Sequence, residues 1–293
     1  MLDGFDQAKF PVNGVTINLR HGGSGPPLLL LHGFPQTHVI WHAVADRLAE
    51  KYTLVMPDLR GYGDSSKPAG EPGHANYSKR AMAQDMVGVM RSLGHESFFV
   101  CGHDRGGRVA HRLALDHAER VRKLMLIDIS PTRTMYEKTN EAFARYYYHW
   151  FFLIQPYPLP ETLIGADPRF YLRFLLGGWG SEGKSFLTPE AMAEYERCFC
   201  TPEAVHAACE DYRAAATIDL EQDRENERAE QKIACPVHVV WGEHGVVGRL
   251  FHPLADWQEK AQLPVTGASV AAGHFIPEEK PDWLLEQMLA FFV

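Results

Sequence analysis

The stretch Gly102-His103-Asp104-Arg105-Gly106-Gly107-Arg108 decides how this chain is read. The apolar run Phe98 to Cys101 ahead of it has the length and texture of a buried strand, and Val109 to Leu115 after it reads as a helix. A glycine-pinched turn therefore joins strand to helix, with Asp104 at its apex. Gly102 and Gly106, two residues to either side, leave out side chains that would collide in so tight a turn. An aspartate with an ordinary pKa near ~3.9 is an anion at neutral pH and needs no base to become a nucleophile. Attack on a saturated carbon by serine would leave an ether that nothing in a site can open. Attack by aspartate leaves an ester that a histidine-activated water hydrolyses. The apex points to displacement at sp3 carbon, with halide or an epoxide oxygen as candidate leaving groups.

Outward from the turn, strands and helices alternate. Phe10 to Arg20 reads as one or two short strands turned at Asn13-Gly14. Leu28 to Leu31 is a buried strand that runs into His32-Gly33-Phe34-Pro35. Trp41 to Glu50 reads as an amphipathic helix and Thr53 to Met56 as a strand, with Asp58 and Arg60 in the next loop as a structural pair. A helix is expected from Ser78 to Leu93, capped by Ser78 and stopped at Gly94. Lys123 to Ile127 is the next strand and ends at Asp128. From 130 to 226 the alternation gives way to a helical, aromatic stretch, read as a cap inserted after the sixth strand. Alternation resumes with Val237 to Trp241, Val265 to Val270 and Gly273-His274-Phe275, and a helix from Pro281 to Phe292 closes the chain. The expected units are a core, 1–129 with 227–293, and a cap, 130–226. The order, without a dinucleotide fingerprint, gives an α/β fold with a mostly parallel eight-stranded sheet and helices on both faces. Sites in such sheets lie beyond the carboxyl ends of the strands, where Phe34, Asp104, Asp128 and His274 all fall.

Composition narrows the function. The 293 residues are 45% apolar, enough for a large core. A net charge of −8 with scattered Lys and Arg excludes a nucleic-acid footprint. No apolar run is long enough to span a bilayer and the first residues carry acids, so a cytoplasmic protein is expected. Five cysteines in no framework spacing read as reduced thiols. Cys198, Cys200 and His206 lack the ligand spacing of a metal site, and no metal is expected.

The Asp-centred turn resembles the nucleophile elbow of α/β-hydrolases, whose usual form is G-x-S-x-G. In that fold the loop after Leu28–Leu31 supplies one oxyanion N–H, assigned to Phe34, and the residue after the nucleophile, Arg105, supplies a second. The fold's order of nucleophile, acid and histidine makes His274 the base among 15 histidines; it must be neutral to deprotonate water. Many relatives place the orienting acid in W-G-x-x-D, but the chain reads Trp241-Gly242-Glu243-His244-Gly245. Asp128 is the replacement, with Glu243 as the alternative. Arg105 and Arg108 stand three apart on one helix face; their guanidinium forks match a carboxylate, which would set its α-carbon over Asp104.

Over nearly its whole length the chain resembles the fluoroacetate dehalogenases, through His32-Gly33-Phe34-Pro35-Gln36-Thr37-His38, the elbow, His149-Trp150 and Glu210-Asp211-Tyr212-Arg213. The resemblance implies Asp104, Asp128 and His274 as the triad, Arg105 and Arg108 on the substrate carboxylate, and His149, Trp150 and Tyr212 around the halide. Imidazole, indole and phenol are the donors that a small, strongly hydrated leaving ion requires in a dry site. Trp179 lines the pocket by the same likeness. It also implies a haloacetate as substrate, no cofactor and a homodimer. The near alternative is an epoxide hydrolase, which shares the aspartate but usually follows it with Trp and offers two cap tyrosines, against Arg105 and a single matching Tyr212 here. A non-catalytic small-molecule receptor is the remaining class, and the complete triad speaks against it.

Overall fold

The structure, a computed structural model, describes residues 1–180 and 186–293. Eight strands form one sheet in the order β1-β2-β4-β3-β5-β6-β7-β8. They are β1 (Asp6–Val12), β2 (Val15–Gly23), β3 (Pro27–Leu31), β4 (Thr53–Pro57), β5 (Phe98–His103), β6 (Val121–Ile127), β7 (Val237–Gly242) and β8 (Thr266–Val270). β1 and β2 form the antiparallel hairpin expected at Asn13-Gly14, both of which take the positive φ of 47° and 78° that a tight primed turn requires. β2 also runs antiparallel to β4, and every later pairing is parallel.

The pleat divides each buried strand between two cores. In β3, Leu29 and Leu31 join the larger cluster while Leu28 and Leu30 face the other side of the sheet. Helices cover both faces, as a parallel sheet needs. Lys79–Ser92 is capped by Ser78, whose hydroxyl accepts from the Ala81 N–H at 3.2 Å, and the helix Arg105–Asp116 starts directly after Asp104. Between β6 and β7 the described residues form only helices, from Thr132 to Arg228. No described helix is long and apolar enough to cross a membrane.

Two local expectations are corrected. The single helix expected over Trp41–Glu50 is a short turn, His38–Trp41, followed by Ala45–Ala49. Thr37 starts that turn early by accepting from Val39 N, while Asp58 takes the His38 N–H. Asp58 and Arg60 do not pair: Asp58 binds His38 Nδ1 at 2.7 Å, and Arg60 binds Asp85 at 2.7 and 2.9 Å. The chain turns at Arg60, and the two side chains reach different neighbours.

Candidate active site

The parallel strands deliver the candidate residues to one edge. Asp104 follows β5 with φ 45° and ψ −116°, a conformation uncommon for a residue with a side chain and characteristic of a strained apex. Close approach explains the flanking glycines: a Cβ on Gly102 would lie 2.6 Å from Gly106 O, and one on Gly106 would lie 2.3 Å from His32 O. The loop after β3 meets the apex directly, with the Phe34 N–H donating to Asp104 Oδ2 at 2.9 Å. Burial opposes the charge on Asp104, but His274, Arg105 and Arg108 hold its carboxyl below the usual range.

His274 reaches Asp128 by an Nδ1–H bond of 2.6 Å to Oδ2. Asp128 is fixed in turn by the Gly242 N–H on Oδ1 at 3.0 Å. Gly245, at the family's usual acid position, explains the exchange: a Cβ there would lie 3.5 Å from Asp128 Oδ2, so either residue can fill this one place. Glu243 is exposed and accepts from Ser269 Oγ at 2.8 Å, away from the imidazole. Burial disfavours the imidazolium of His274, yet the Asp128 bond and the Asp104 charge outweigh it and raise the pKa. The His274 backbone is held on both sides, its N–H donating to Trp179 O at 2.9 Å and its carbonyl accepting from His103 Nε2 at 2.8 Å. Burial keeps His103 neutral, its pKa lowered to about 3. Glu279 braces the same loop, accepting from the N–H groups of Gly273 and Phe275 at 2.8 and 2.9 Å.

The two arginines differ in a way their spacing does not reveal. Arg105 spends its fork on Asp211: Nε donates to Oδ2 at 2.8 Å and Nη2 to Oδ1 at 2.9 Å. Its guanidinium lies 4.2 Å above the Tyr212 ring, and Nη1 alone is buried without a partner. Arg108 has no ion pair among the described residues. Nη1 donates to Thr132 Oγ1 at 2.8 Å, its guanidinium lies 4.7 Å from the Trp150 ring, and Nε has no partner. Burial and the neighbouring Arg105 push the Arg108 pKa down. A buried cation so placed calls for an anion.

The helical segment closes the chamber. His149 is buried, with Nδ1 unpartnered, and desolvation holds its pKa well below the ordinary value, so the ring is neutral. Its ring centroid lies 4.4 Å from Trp179, 5.5 Å from Tyr212 and 6.1 Å from Phe34. Trp150 stands 6.5 Å from Tyr212. All ten candidate residues are thus gathered at one locus, and Asp104, His274 and Tyr212 are only 6%, 3% and 1% exposed.

Two groups escaped the sequence reading. Tyr147 is buried with its hydroxyl 3.4 Å from His274 Nδ1, adding a second tyrosine to the chamber. Asp211, although inside a noted motif, had no role assigned; it binds Arg105, Lys79 and the Tyr62 hydroxyl in one buried network. A cavity of about 560 Å³ elsewhere, lined by His111, Asp223 and Lys260 among others, holds none of the candidate residues.

The family model described as the α/β hydrolase fold matches residues 26–281. A fluoroacetate dehalogenase of Burkholderia sp is 47% identical over 96% of this chain and 92% of its own length. A soluble epoxide hydrolase of Corynebacterium sp. (strain C12) is 35% identical, over 96% and 95% respectively. The crystal structure of ALR0039, an α/β hydrolase from Nostoc sp PCC 7120, superposes with a TM-score of 0.97 at 57% identity, covering 100% of this chain and 99% of that one. The chain belongs to the α/β-hydrolase family, and it is a hydrolase of that family.

Proposed function

We propose that the chain is a hydrolytic dehalogenase of haloacetates, fluoroacetate and chloroacetate among them, yielding glycolate and halide without a cofactor. The observation that carries this reading is Arg108, a buried guanidinium beside the nucleophile with no carboxylate partner among the described residues and Nε unused. With Nη1 of Arg105 it offers a short acid two donors and a net positive charge. A substrate carboxylate held there presents its α-carbon to Asp104. Asp104 attacks that carbon, the carbon–halogen bond breaks, and the halide leaves with the electron pair toward His149, Trp150 and Tyr212. Neutral His274 then takes a proton from water, and the resulting hydroxide adds to Asp104 Cγ. The Phe34 N–H, which holds Asp104 Oδ2 at 2.9 Å, stabilises the tetrahedral oxyanion; its collapse breaks the bond from Cγ to the glycolate oxygen, which takes the proton from the His274 imidazolium, and the Asp104 carboxyl loses the remaining proton to solvent. Asp128 steadies the imidazolium through its 2.6 Å bond.

An epoxide hydrolase is the second reading. Tyr147 and Tyr212 together supply the two phenols that would protonate an epoxide oxygen, and the Corynebacterium relative carries that name. A neutral epoxide, however, leaves both arginine donors unmet. The test is to incubate the His274→Asn variant with chloroacetate or with an epoxide and weigh the intact protein. Retention of a carboxymethyl group on Asp104 supports the haloacid reading; retention of a hydroxyalkyl group, with no halide released from haloacetates by the wild type, replaces it with the epoxide one.

A further inference from the structure

A closed chamber needs a route for its reactant, and the structure supplies a candidate. A cleft of about 240 Å³ runs from the surface to the catalytic imidazole; His274, Trp179, Tyr147 and Gly245 form its inner wall. At its outer end stand Arg249 and Arg145. Both are exposed, and no carboxylate is among the described residues that line the cleft. Arg249 rests on the Tyr146 ring at 5.3 Å and has no ion-pair partner among the described residues. Arg145 meets Glu141 only as a solvated pair, 77% and 81% exposed, which screens it weakly. This basic mouth stands on a protein whose net charge is −8 and whose overall field repels anions.

We propose that this cleft is the portal through which the anionic substrate reaches Asp104, with Arg249 and Arg145 as steering cations. The inference rests on the haloacid reading, since a neutral epoxide would feel neither charge. Steering acts during approach, before Arg108 is reached. It therefore belongs to the association rate and to kcat/KM, and not to the chemical steps.

The test reverses the charges and narrows the cleft. For an anion passing within about 10 Å of each arginine, Arg145→Glu with Arg249→Glu slows association about sevenfold at an ionic strength of ~10 mM and less than twofold at ~0.3 M. The association rate is read by stopped flow from tryptophan fluorescence with chloroacetate, and kcat/KM from halide release. Arg91→Glu, exposed on the helix that precedes β5, is a charge reversal remote from the cleft and keeps the wild-type salt slope. Gly178 lines the same cleft, and no described residue lies within 4 Å of where its Cβ would stand, so Gly178→Trp fits the described fold while obstructing the passage. It slows association at every salt concentration. Wild-type salt slopes in the double variant, or unslowed association in Gly178→Trp, overturn the portal while leaving the haloacid reading intact. Absence of halide release from the wild type removes both.

Discussion

Asp211→Asn tests whether Arg105 is aimed by a counter-ion rather than by packing. The Asp211 carboxylate is fully buried and accepts from Arg105 Nε at 2.8 Å, Arg105 Nη2 at 2.9 Å and the Tyr62 hydroxyl at 2.6 Å, besides Lys79. Two buried cations share this one carboxylate, with Asp219 3.4 Å from Lys79 as the further acid. Replacing it with a neutral amide leaves charge uncompensated in the interior, which costs about 3–5 kcal/mol. That is a large part of a total stability of about 5–15 kcal/mol. Urea unfolding followed by circular dichroism measures it as a drop in the transition midpoint at constant slope. Adding Lys79→Met removes the second stranded cation and recovers part of the loss. In the site, Arg105 keeps its charge but loses its aim toward the substrate carboxylate, so kcat/KM for chloroacetate falls about tenfold, roughly 1.4 kcal/mol, chiefly through a rise in KM. A stability loss below about 1 kcal/mol, or an intact kcat/KM, refutes the counter-ion account.

Other outcomes follow from the same geometry. The raised His274 pKa and the depressed Asp104 pKa separate the two chemical steps by pH. As pH falls through the His274 pKa the base is protonated and ester hydrolysis drops about tenfold per unit, while Asp104 stays anionic to below its ordinary range. kcat therefore declines while kcat/KM holds, and rapid-quench halide release shows a burst approaching one equivalent; a flat kcat down to pH 5 contradicts it. Arg108→Lys loses the planar fork and raises KM for haloacetates about 10- to 100-fold, measured by initial rates, because hydrogen bonds to charged groups contribute about 1.5–3 kcal/mol. Asp128→Asn leaves the imidazole without its orienting anion and lowers kcat about 10³- to 10⁴-fold, with covalent enzyme accumulating in intact-mass spectra.

Legibility followed the range of the forces involved. The elbow, the hairpin at Asn13-Gly14 and the Leu28–Leu31 strand are written in local steric and apolar patterns, and they appear where those patterns put them. The lost acid at Gly245 was visible, because β6 lies beside β7 and its end at Asp128 is the nearest alternative position. The division of labour between the arginines was not visible. Asp211 lies 106 positions from Arg105, and only folding brings its carboxylate under the fork. Tyr147 was hidden for a related reason: two short helices in an aromatic run, Glu141–Tyr146 and His149–Phe152, leave no periodicity from which to tell core from chamber. The Asp58–Arg60 pairing failed because the chain turns at Arg60 and residues distant in sequence, His38 and Asp85, take the two side chains.

The central claim is that Asp104 forms an ester with the substrate and that water opens it at the carboxyl carbon. A single turnover of chloroacetate by excess enzyme in 18O water, followed by mass analysis of the Asp104 peptide, tests this most directly. Label in the Asp104 carboxyl, with unlabelled glycolate from that first turnover, is the predicted result. Label in the glycolate and none in Asp104 would mean direct attack by water, and the account would fail.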